Sequence, residues 1–329
     1  MVISTTEVEP SRLTAYQEYL YRPTAPLKWW AEPNNHVLGG RDLHRPVQGT
    51  WLGITRQGRI AVLTNFRDDD SSISASAAHS RGAIVNSFLT ISPKELSEID
   101  AHEWARRLMA EAGEDGMHGV GGFTLIFGDL RDVIQPSQTK KGLSVLSNRT
   151  PSVDGLLHLM QYPDETHALS NSHYGDGSWP KVADGERLLK TAIHESVASH
   201  ESQTEFLDRC FTILSTDTLP KPSRADEPWD LYLHQLRNSI FIPAISGAKT
   251  ESSPTRADEV AAADPADSGR LAGTAISGVY GTQKQSVILV DRNGKVVFVE
   301  RTLFDGDWGT VEKGNADRKV EYVVEGWEA

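Results

Sequence analysis

The chain has 329 residues, 38% of them hydrophobic, and its 45 acidic side chains outnumber 33 basic ones. These hydrophobic residues are enough to form at least one substantial buried core. The net charge of -12 repels phosphate backbones and anionic lipid, which argues against nucleic acid as a partner.

The single cysteine and the lack of apolar segments point to a compartment. Cys210 alone excludes an intramolecular disulfide and a thiolate zinc cluster, so a reducing compartment fits best. The N-terminal residues hold no apolar run before a small-residue cleavage site, and no apolar stretch reaches the roughly 18 residues that span a bilayer. We therefore expect a cytoplasmic protein that is not integral to a membrane.

The first half of the chain predicts strands and helices in alternation. Residues 51–55 and 59–65 are apolar or alternate around Gln57 and Gly58, a pattern typical of a β-hairpin. Apolar spacing predicts a helix over residues 80–89, and Ser92 before a proline predicts the N-cap of a second helix that ends near residue 112. Residues 121–130 and 142–148 are typical of the next two strands.

The second half shows two helical patterns, a polar segment and a hairpin. The helices are predicted over residues 179–196 and 202–216, and the second places Cys210 in the core as a small buried hydrophobe. Residues 247–273 are poor in large apolar side chains, which predicts a disordered insertion within the fold. Residues 285–304 predict a second hairpin around Asn293 and Gly294.

This order of elements favours antiparallel sheets covered by helices over a doubly wound parallel sheet. The predicted fold class is therefore α+β, as a layered sandwich.

Three polar clusters each follow a predicted strand or apolar stretch. They are Asn65 with Arg67, Asn148 with Arg149, and Ser170 with Asn171. Asn and Arg gathered at one edge of a sheet suit a carboxylate, a phosphate or a developing oxyanion. The alternative is that these residues only form turns and cap strand ends, which Asn and Ser do well.

Other chemistries find little support in the sequence. Residues 38–42 lack a nucleotide-loop pattern, and the acidic run at 68–70 lacks the spaced ligands of a calcium loop. The 11 histidines form no HExxH or CxxCH motif, and no GxSxG is present. We expect no bound metal.

Eight segments in the same order resemble one family. They are YRPTAPLKWW, VLGGRD, GTWLGITRQGRIAVLTNFRD, SRGAIVNSFL, GGFTLIFGDL, LSNR, LSN followed by SWPKV, and YGTQKQSVILVDRNGKVVFVERTLFD. Together they resemble the transport and Golgi organisation protein 2 family, also called the NRDE family, in a form similar to its fungal members. The match runs from about Gln17 to Asp305.

The resemblance implies a fold, a pocket and a set of cellular roles. The fold is a four-layer αββα sandwich akin to N-terminal-nucleophile hydrolases. The roles are Golgi organisation, protein secretion, haem transport and lipid homeostasis, from the cytoplasm and peripherally at Golgi or mitochondria. The residues that it implies for the pocket are Arg41, Asp42, Asn65, Arg67, Ser80, Arg81, Asn148, Arg149, Ser170 and Asn171.

The sequence departs from this family at its start. Family members begin Met-Cys and later carry Asn-Arg-Asp-Glu, whereas residue 2 here is Val2 and the first strand is apparently missing. An N-terminal nucleophile needs Cys, Ser or Thr at that position, so no catalytic residue is assigned. We expect a non-catalytic binder of haem or of an acyl-CoA or lipid-type ligand.

Two alternatives stay open. The chain is an N-terminal-nucleophile-type amide or thioester hydrolase if its true N-terminus carries Cys, or it is a damaged paralogue or a mis-predicted gene start. The expected organisation is a divergent segment over residues 1–16, one domain over 17–309 and a tail over 310–329.

Overall fold

The computed structural model describes the greater part of the chain. The described residues are 2–4, 12–19, 23–43, 45–66, 80–112, 117, 120–134, 142–162, 164–221, 233–246, 279–305 and 310–327. Arg67, the acidic run at 68–70 and the predicted disordered insertion over 247–273 lie outside them.

The described strands form two large antiparallel sheets and a short ribbon. In spatial order, the first sheet contains β10 (Thr166–Ala168), β1 (Val2–Ser4), β2 (Arg12–Tyr19), β13 (Thr282–Val290), β14 (Lys295–Thr302) and β15 (Arg318–Val323). The second contains β3 (Thr24–Trp29), β4 (Val37–Asp42), β5 (Leu52–Thr55), β6 (Arg59–Asn65), β7 (Phe123–Asp129), β8 (Leu143–Ser147) and β9 (Leu157–Leu159). The ribbon pairs β11 (Ile245–Ser246) with β12 (Val279–Tyr280).

Two pairs of helices and one short single helix follow strands of the sheets. They are α1 (Arg81–Leu89), α2 (Ala101–Glu111), the short α3 (Leu130–Ile134), α4 (Pro180–Ala198) and α5 (Gln203–Leu214). Single 3-10 turns occur at Pro93–Glu95, Val153–Gly155 and Leu233–Arg237.

Three buried clusters show how the layers stack. Val62 of β6 and Phe298 of β14 belong to one cluster, so the two sheets pack face to face. The other face of the second sheet packs on α1 and α2, and the other face of the first sheet packs on α4 and α5. The predicted α+β class is confirmed, with helices outside and both sheets inside. The likeness to N-terminal-nucleophile hydrolases stays a prediction.

The prediction that the first strand is missing is wrong. β2 pairs with β13 on one side and β1 on the other, and β1 in turn pairs with β10. The three residues of β1 are too few to show a period, and β2 carries mostly polar residues, so neither gives an apolar strand signal. The predicted boundary between residues 16 and 17 falls inside β2, and the tail supplies β15.

The predicted start of the second helix is also wrong. Ser92 caps only a 3-10 turn, in which its Oγ accepts a hydrogen bond from the N–H of Lys94 at 3.4 Å. The helix begins at Ala101, where the Asp100 carboxylate accepts a hydrogen bond from the N–H of Glu103 at 2.7 Å. The stronger, charged cap therefore sets the boundary.

The predicted hairpins and the core position of Cys210 are confirmed. Both hairpins form, and their turn glycines have positive φ, 93° at Gly58 and 74° at Gly294. Cys210 lies in the core, where burial raises the pKa of its thiol to about 12. This cysteine packs as a hydrophobe and is not a thiolate at neutral pH.

Candidate functional site

The C-terminal ends of β4, β6 and β8 lie at one end of the second sheet, and the predicted polar clusters at Asn65 and Asn148 lie at the ends of β6 and β8. Antiparallel pairing places Asn65 opposite Phe123, and Thr124 opposite Ser147. Thr24, which pairs with Asp42 at the end of β4, donates from its hydroxyl to the side chain of Gln283 in β13 at 3.4 Å. This bond joins the matching ends of the two sheets.

Polar side chains line the space between the sheets at this end. Val62 and Ile126 belong to the inter-sheet core, and side chains two residues apart on a strand share a face, so Thr64 and Thr124 point into the same space. By the same rule, Ser286 shares the inter-sheet face with Ile288. We call this end of the two sheets the polar end. Its side chains between the sheets are those of Asp42, Thr64, Thr124, Lys284, Ser286 and Glu300. Asn65 and Asn148 lie at the ends of β6 and β8 on the face that the first two helices cover, and Ser170 and Asn171 lie in the loop after β10.

A buried ion pair anchors the polar end to the edge strand β3. The Nζ of Lys284 lies 3.6 Å from Oε1 of Glu300, and both side chains are at most 5% exposed. The same carboxylate oxygen accepts a hydrogen bond from the N–H of Leu27 at 2.9 Å, and Lys284 donates to the carbonyl of Ala25 at 3.3 Å. These bonds satisfy charges that would be costly to bury alone.

The loop after β10 closes over the polar end. Asn171 donates from Nδ2 to the carbonyl of Asn65 at 2.9 Å, and Thr124 donates from its hydroxyl to the carbonyl of Ser172 at 3.2 Å. Leu169 of the same loop is part of the inter-sheet core. Two of the three predicted polar clusters therefore make direct contact, through Asn65 and Asn171.

Two adjacent side chains at the polar end have unused hydrogen-bonding capacity. Thr64 is 7% exposed and Asn65 8%, yet Oγ1 of Thr64 and Oδ1 of Asn65 have no hydrogen-bond partner among the described residues. A buried polar atom left unpaired costs about 1–3 kcal/mol. Native proteins rarely keep such atoms unless water, an ion or a ligand satisfies them.

Arg41 is held away from the polar end. Its guanidinium donates from Nε to the carbonyl of Gln48 at 2.8 Å and stacks 4.2 Å from the ring centre of Trp30, on the face that α1 covers. Partial burial lowers the pKa of this guanidinium, which stays far above neutrality. The structure therefore gives Arg41 a role in positioning the turn before β5.

Ser80 and Arg81 lie at the start of α1. Ser80 occupies the N-cap position without a capping hydrogen bond from its side chain. Arg81 donates from Nη1 to the carbonyl of Gly122 at 3.0 Å, just before β7. Both residues therefore lie beside the strand ends that carry Asn65 and Thr124.

The other predicted site residues differ in exposure. Asn148 is fully buried, and Asp42 and Ser170 are nearly so. Arg149 is exposed, with its guanidinium carbon 5.5 Å from the ring centre of Phe66. A buried amide and an exposed cation at the end of the same strand give this edge both polar and charged hydrogen-bond donors.

Sequence reasoning missed a hydrogen-bonded chain that passes through β10. The hydroxyl of Tyr174 lies 2.9 Å from Nδ1 of His167, and Nε2 of His167 lies 2.8 Å from Oε2 of Glu165. Glu165 and His167 are two residues apart, a spacing that puts side chains on one face of an extended segment. This spacing was a usable signal, but Tyr174 reaches His167 only through the intervening loop.

Neither a metal cluster nor a membrane span is found in the described part of the chain. Its His, Cys, Asp and Glu side chains form no group of three or more that could hold a metal ion. None of its helices has both the length and the hydropathy that crossing a bilayer requires.

Comparisons with a family model and with individual known proteins point to the same family. The model of the family described as Transport and Golgi organisation 2 matches residues 15–305. An uncharacterised Saccharomyces cerevisiae protein is 26% identical over 304 residues, covering 88% of this chain and 86% of the yeast protein. The Transport and Golgi organization 2 homologue of Mus musculus is 26% identical and that of Homo sapiens 27%; each alignment covers 88% of this chain and 85% of the relative.

Proposed function

The chain belongs to the Transport and Golgi organisation 2 family, and we propose that it serves transport and Golgi organisation by binding a small anionic ligand at the polar end. The ligand chemistry is a carboxylate or phosphate on a larger apolar body, which haem and acyl-CoA share. Binding takes place in the cytoplasm, with any contact to Golgi or mitochondria peripheral.

The hydroxyl of Thr64, which has no hydrogen-bond partner among the described residues, is the observation that carries the proposal. It points between the sheets and is 7% exposed, so water hydrates it poorly. When the Thr64 hydroxyl donates to a ligand oxygen, it gives up no hydrogen bond to the described residues. The whole free energy of the new hydrogen bond therefore contributes to binding. Hydrogen bonds to charged groups contribute about 1.5–3 kcal/mol.

Neighbouring groups support an anion at this place. Thr124 lies on the same inter-sheet face as Thr64, and the carbonyl of Asn65 holds the loop over the site by accepting a hydrogen bond from Asn171 at 2.9 Å. Arg149, at the end of β8, adds an exposed positive charge to the same edge. A hydroxyl donor and a nearby cation suit the anionic group of a ligand.

The test is calorimetric titration of the full chain with palmitoyl-CoA and with haemin. We expect wild-type protein to bind at least one of them, and Thr64→Val to bind it about tenfold more weakly or worse, since one charge-assisted hydrogen bond is lost. Thr64→Val keeps the shape of the side chain and removes no internal hydrogen bond, so it should unfold at the wild-type temperature or above.

Thr55→Val is the matched control. Thr55 is 1% exposed at the opposite end of the same sheet, and its Oγ1 accepts a hydrogen bond from the N–H of Arg59 at 3.1 Å. This variant should lose about 1 kcal/mol of stability and keep wild-type affinity. Absence of binding by the wild type, or equal affinities for wild type and Thr64→Val, would overturn the proposal.

A further inference from the structure

Glu165, His167 and Tyr174 form a hydrogen-bonded chain, which we call the tyrosine relay. His167 uses both ring nitrogens in it, toward the Tyr174 hydroxyl at 2.9 Å and toward Glu165 at 2.8 Å. The side chains of His167 and Glu165 are 22% and 21% exposed, and the ring of Tyr174 packs on the inter-sheet core. The relay is therefore partly sheltered yet reachable from solvent.

The ionised state of Glu165 fixes the proton positions in the relay. Burial acts against the charged carboxylate, but hydrogen bonds from His167 and from the N–H groups of Met160 and Tyr162 outweigh it and lower its pKa. An ionised Glu165 only accepts, so in the imidazole form of His167 it is Nε2 that carries the proton. Nδ1 is then a lone pair, and it accepts the hydrogen bond from the Tyr174 hydroxyl.

This arrangement has the three parts of an activated nucleophile. A hydroxyl lies within hydrogen-bond reach of a base, and a third group orients the base and stabilises its cation. Burial, Glu186 and Glu165 raise the pKa of Tyr174, so its hydroxyl stays protonated until the base removes the proton. A hydroxyl that loses its proton only as it attacks does not need a lowered pKa.

We propose that the tyrosine relay is an acyl-accepting site in which Tyr174 attacks activated carboxylic esters. Oη of Tyr174 forms a bond to the acyl carbon while its proton passes to Nδ1 of His167, and Glu165 pairs with the resulting imidazolium. The bond between the acyl carbon and the leaving oxygen breaks, and the leaving group takes the proton from His167. The products are acyl-tyrosine, a free phenol from an aryl ester, and His167 in its starting form.

The chemistry of a phenol sets the substrate class. A phenol oxygen displaces a leaving group efficiently when that group is less basic than itself, so aryl and similarly activated esters fit and ordinary alkyl esters do not. The inference does not depend on a ligand at Thr64, because it concerns a different set of side chains.

The test treats the full chain with p-nitrophenyl acetate at neutral pH and maps acetylation by peptide mass spectrometry. We expect Tyr174 to be acetylated faster than Tyr162, although Tyr162 is 70% exposed. His167→Gln should slow acetylation of Tyr174 by about 100-fold, the usual contribution of a positioned base. In both proteins the rate at Tyr162 should be the same, which makes it an internal control.

Tyr174→Phe supplies the second control, since it should abolish the fast release of nitrophenol while the chain still unfolds cooperatively. Faster labelling of Tyr162 than of Tyr174 in the wild type would overturn the inference. So would equal labelling of Tyr174 in wild type and in a folded His167→Gln variant. Because neither palmitoyl-CoA nor haemin is added, neither result bears on their binding at Thr64.

Discussion

Lys181 shows how one buried charge makes stability depend on pH. It lies in the first turn of α4, where its Nζ donates to the carbonyl of Leu236 at 3.0 Å and lies 5.2 Å from the ring centre of Trp179. Burial lowers the pKa of this amine to about 8. Between about pH 8 and pH 10.5 the unfolded chain therefore binds the proton more tightly, and stability rises with pH across this window.

Lys181→Met should remove this pH dependence. At pH 7 we expect the variant to be more stable than wild type by up to roughly 3 kcal/mol, because methionine fills the site without a desolvated charge. The advantage should shrink as pH rises from about 8 to 10. Urea unfolding at both pH values measures it, with the exposed Lys190→Met on the same helix as control. An advantage that is equal at pH 7 and pH 10 would show that desolvation is not the cause.

Single residues were predictable where local position alone decides their placement. Asn65 and Asn171 were expected at a converging edge because each follows a strand or apolar stretch, and they do contact each other. The partners of Lys284 and Glu300 come from β3, more than 250 residues away in the chain. No local pattern encodes such a pairing.

At the level of elements, two glycines allow α1 to pack closely against the turn before β5. A Cβ at Gly49 would lie 2.7 Å from Cα of Gly82, and a Cβ at Gly82 would lie 3.0 Å from Cα of Gly49. Both obstacles are backbone atoms, which cannot rotate away. This close approach brings the start of α1, with Ser80 and Arg81, beside the polar end.

Gly49→Ala should therefore destabilise the protein by about 1–3 kcal/mol, the usual cost of overpacking. Gly177→Ala is the matched control, since Gly177 has no heavy atom within 4 Å of a built Cβ, and it should change stability by less than about 0.5 kcal/mol. Thermal unfolding of both variants measures the effect. Equal unfolding temperatures would mean that α1 shifts freely on the turn.

Elements were predictable where the pattern is local and dense. Each hairpin has a glycine turn between apolar strands, and its partners are neighbours in sequence. β1 and β2 were missed because their identity depends on distant partners, β10 and β13. Hydrogen bonding to a strand on each side holds a polar segment in a sheet, although the residues of that segment alone do not predict a strand.

For the whole molecule, one buried cluster holds the two sheets together. Phe298 of β14 is 1% exposed and belongs to the cluster that both sheets share. Phe298→Ala should cost about 3–5 kcal/mol because it leaves a cavity between the sheets. Val323→Ala on the edge strand β15, where the side chain is 58% exposed, should cost little. Denaturant unfolding that gave equal losses for both variants would contradict this picture of the core.

The layer order was predictable, but the strand order was not. Strands followed by paired helices favour sheets covered by helices, which the structure shows. The order β10, β1, β2, β13 joins strands from both ends and the middle of the chain. The polar end depends on this order, because it is built where the two sheets meet.

Amide hydrogen exchange, with and without whichever of palmitoyl-CoA or haemin binds more tightly, tests the central claim most directly. A ligand at the polar end should slow exchange at the end of β6 around Thr64 and Asn65, and in the loop over residues 169–172 that closes on it. Protection confined to other regions, such as α5 or β15, would contradict a binding site between the sheets at the polar end.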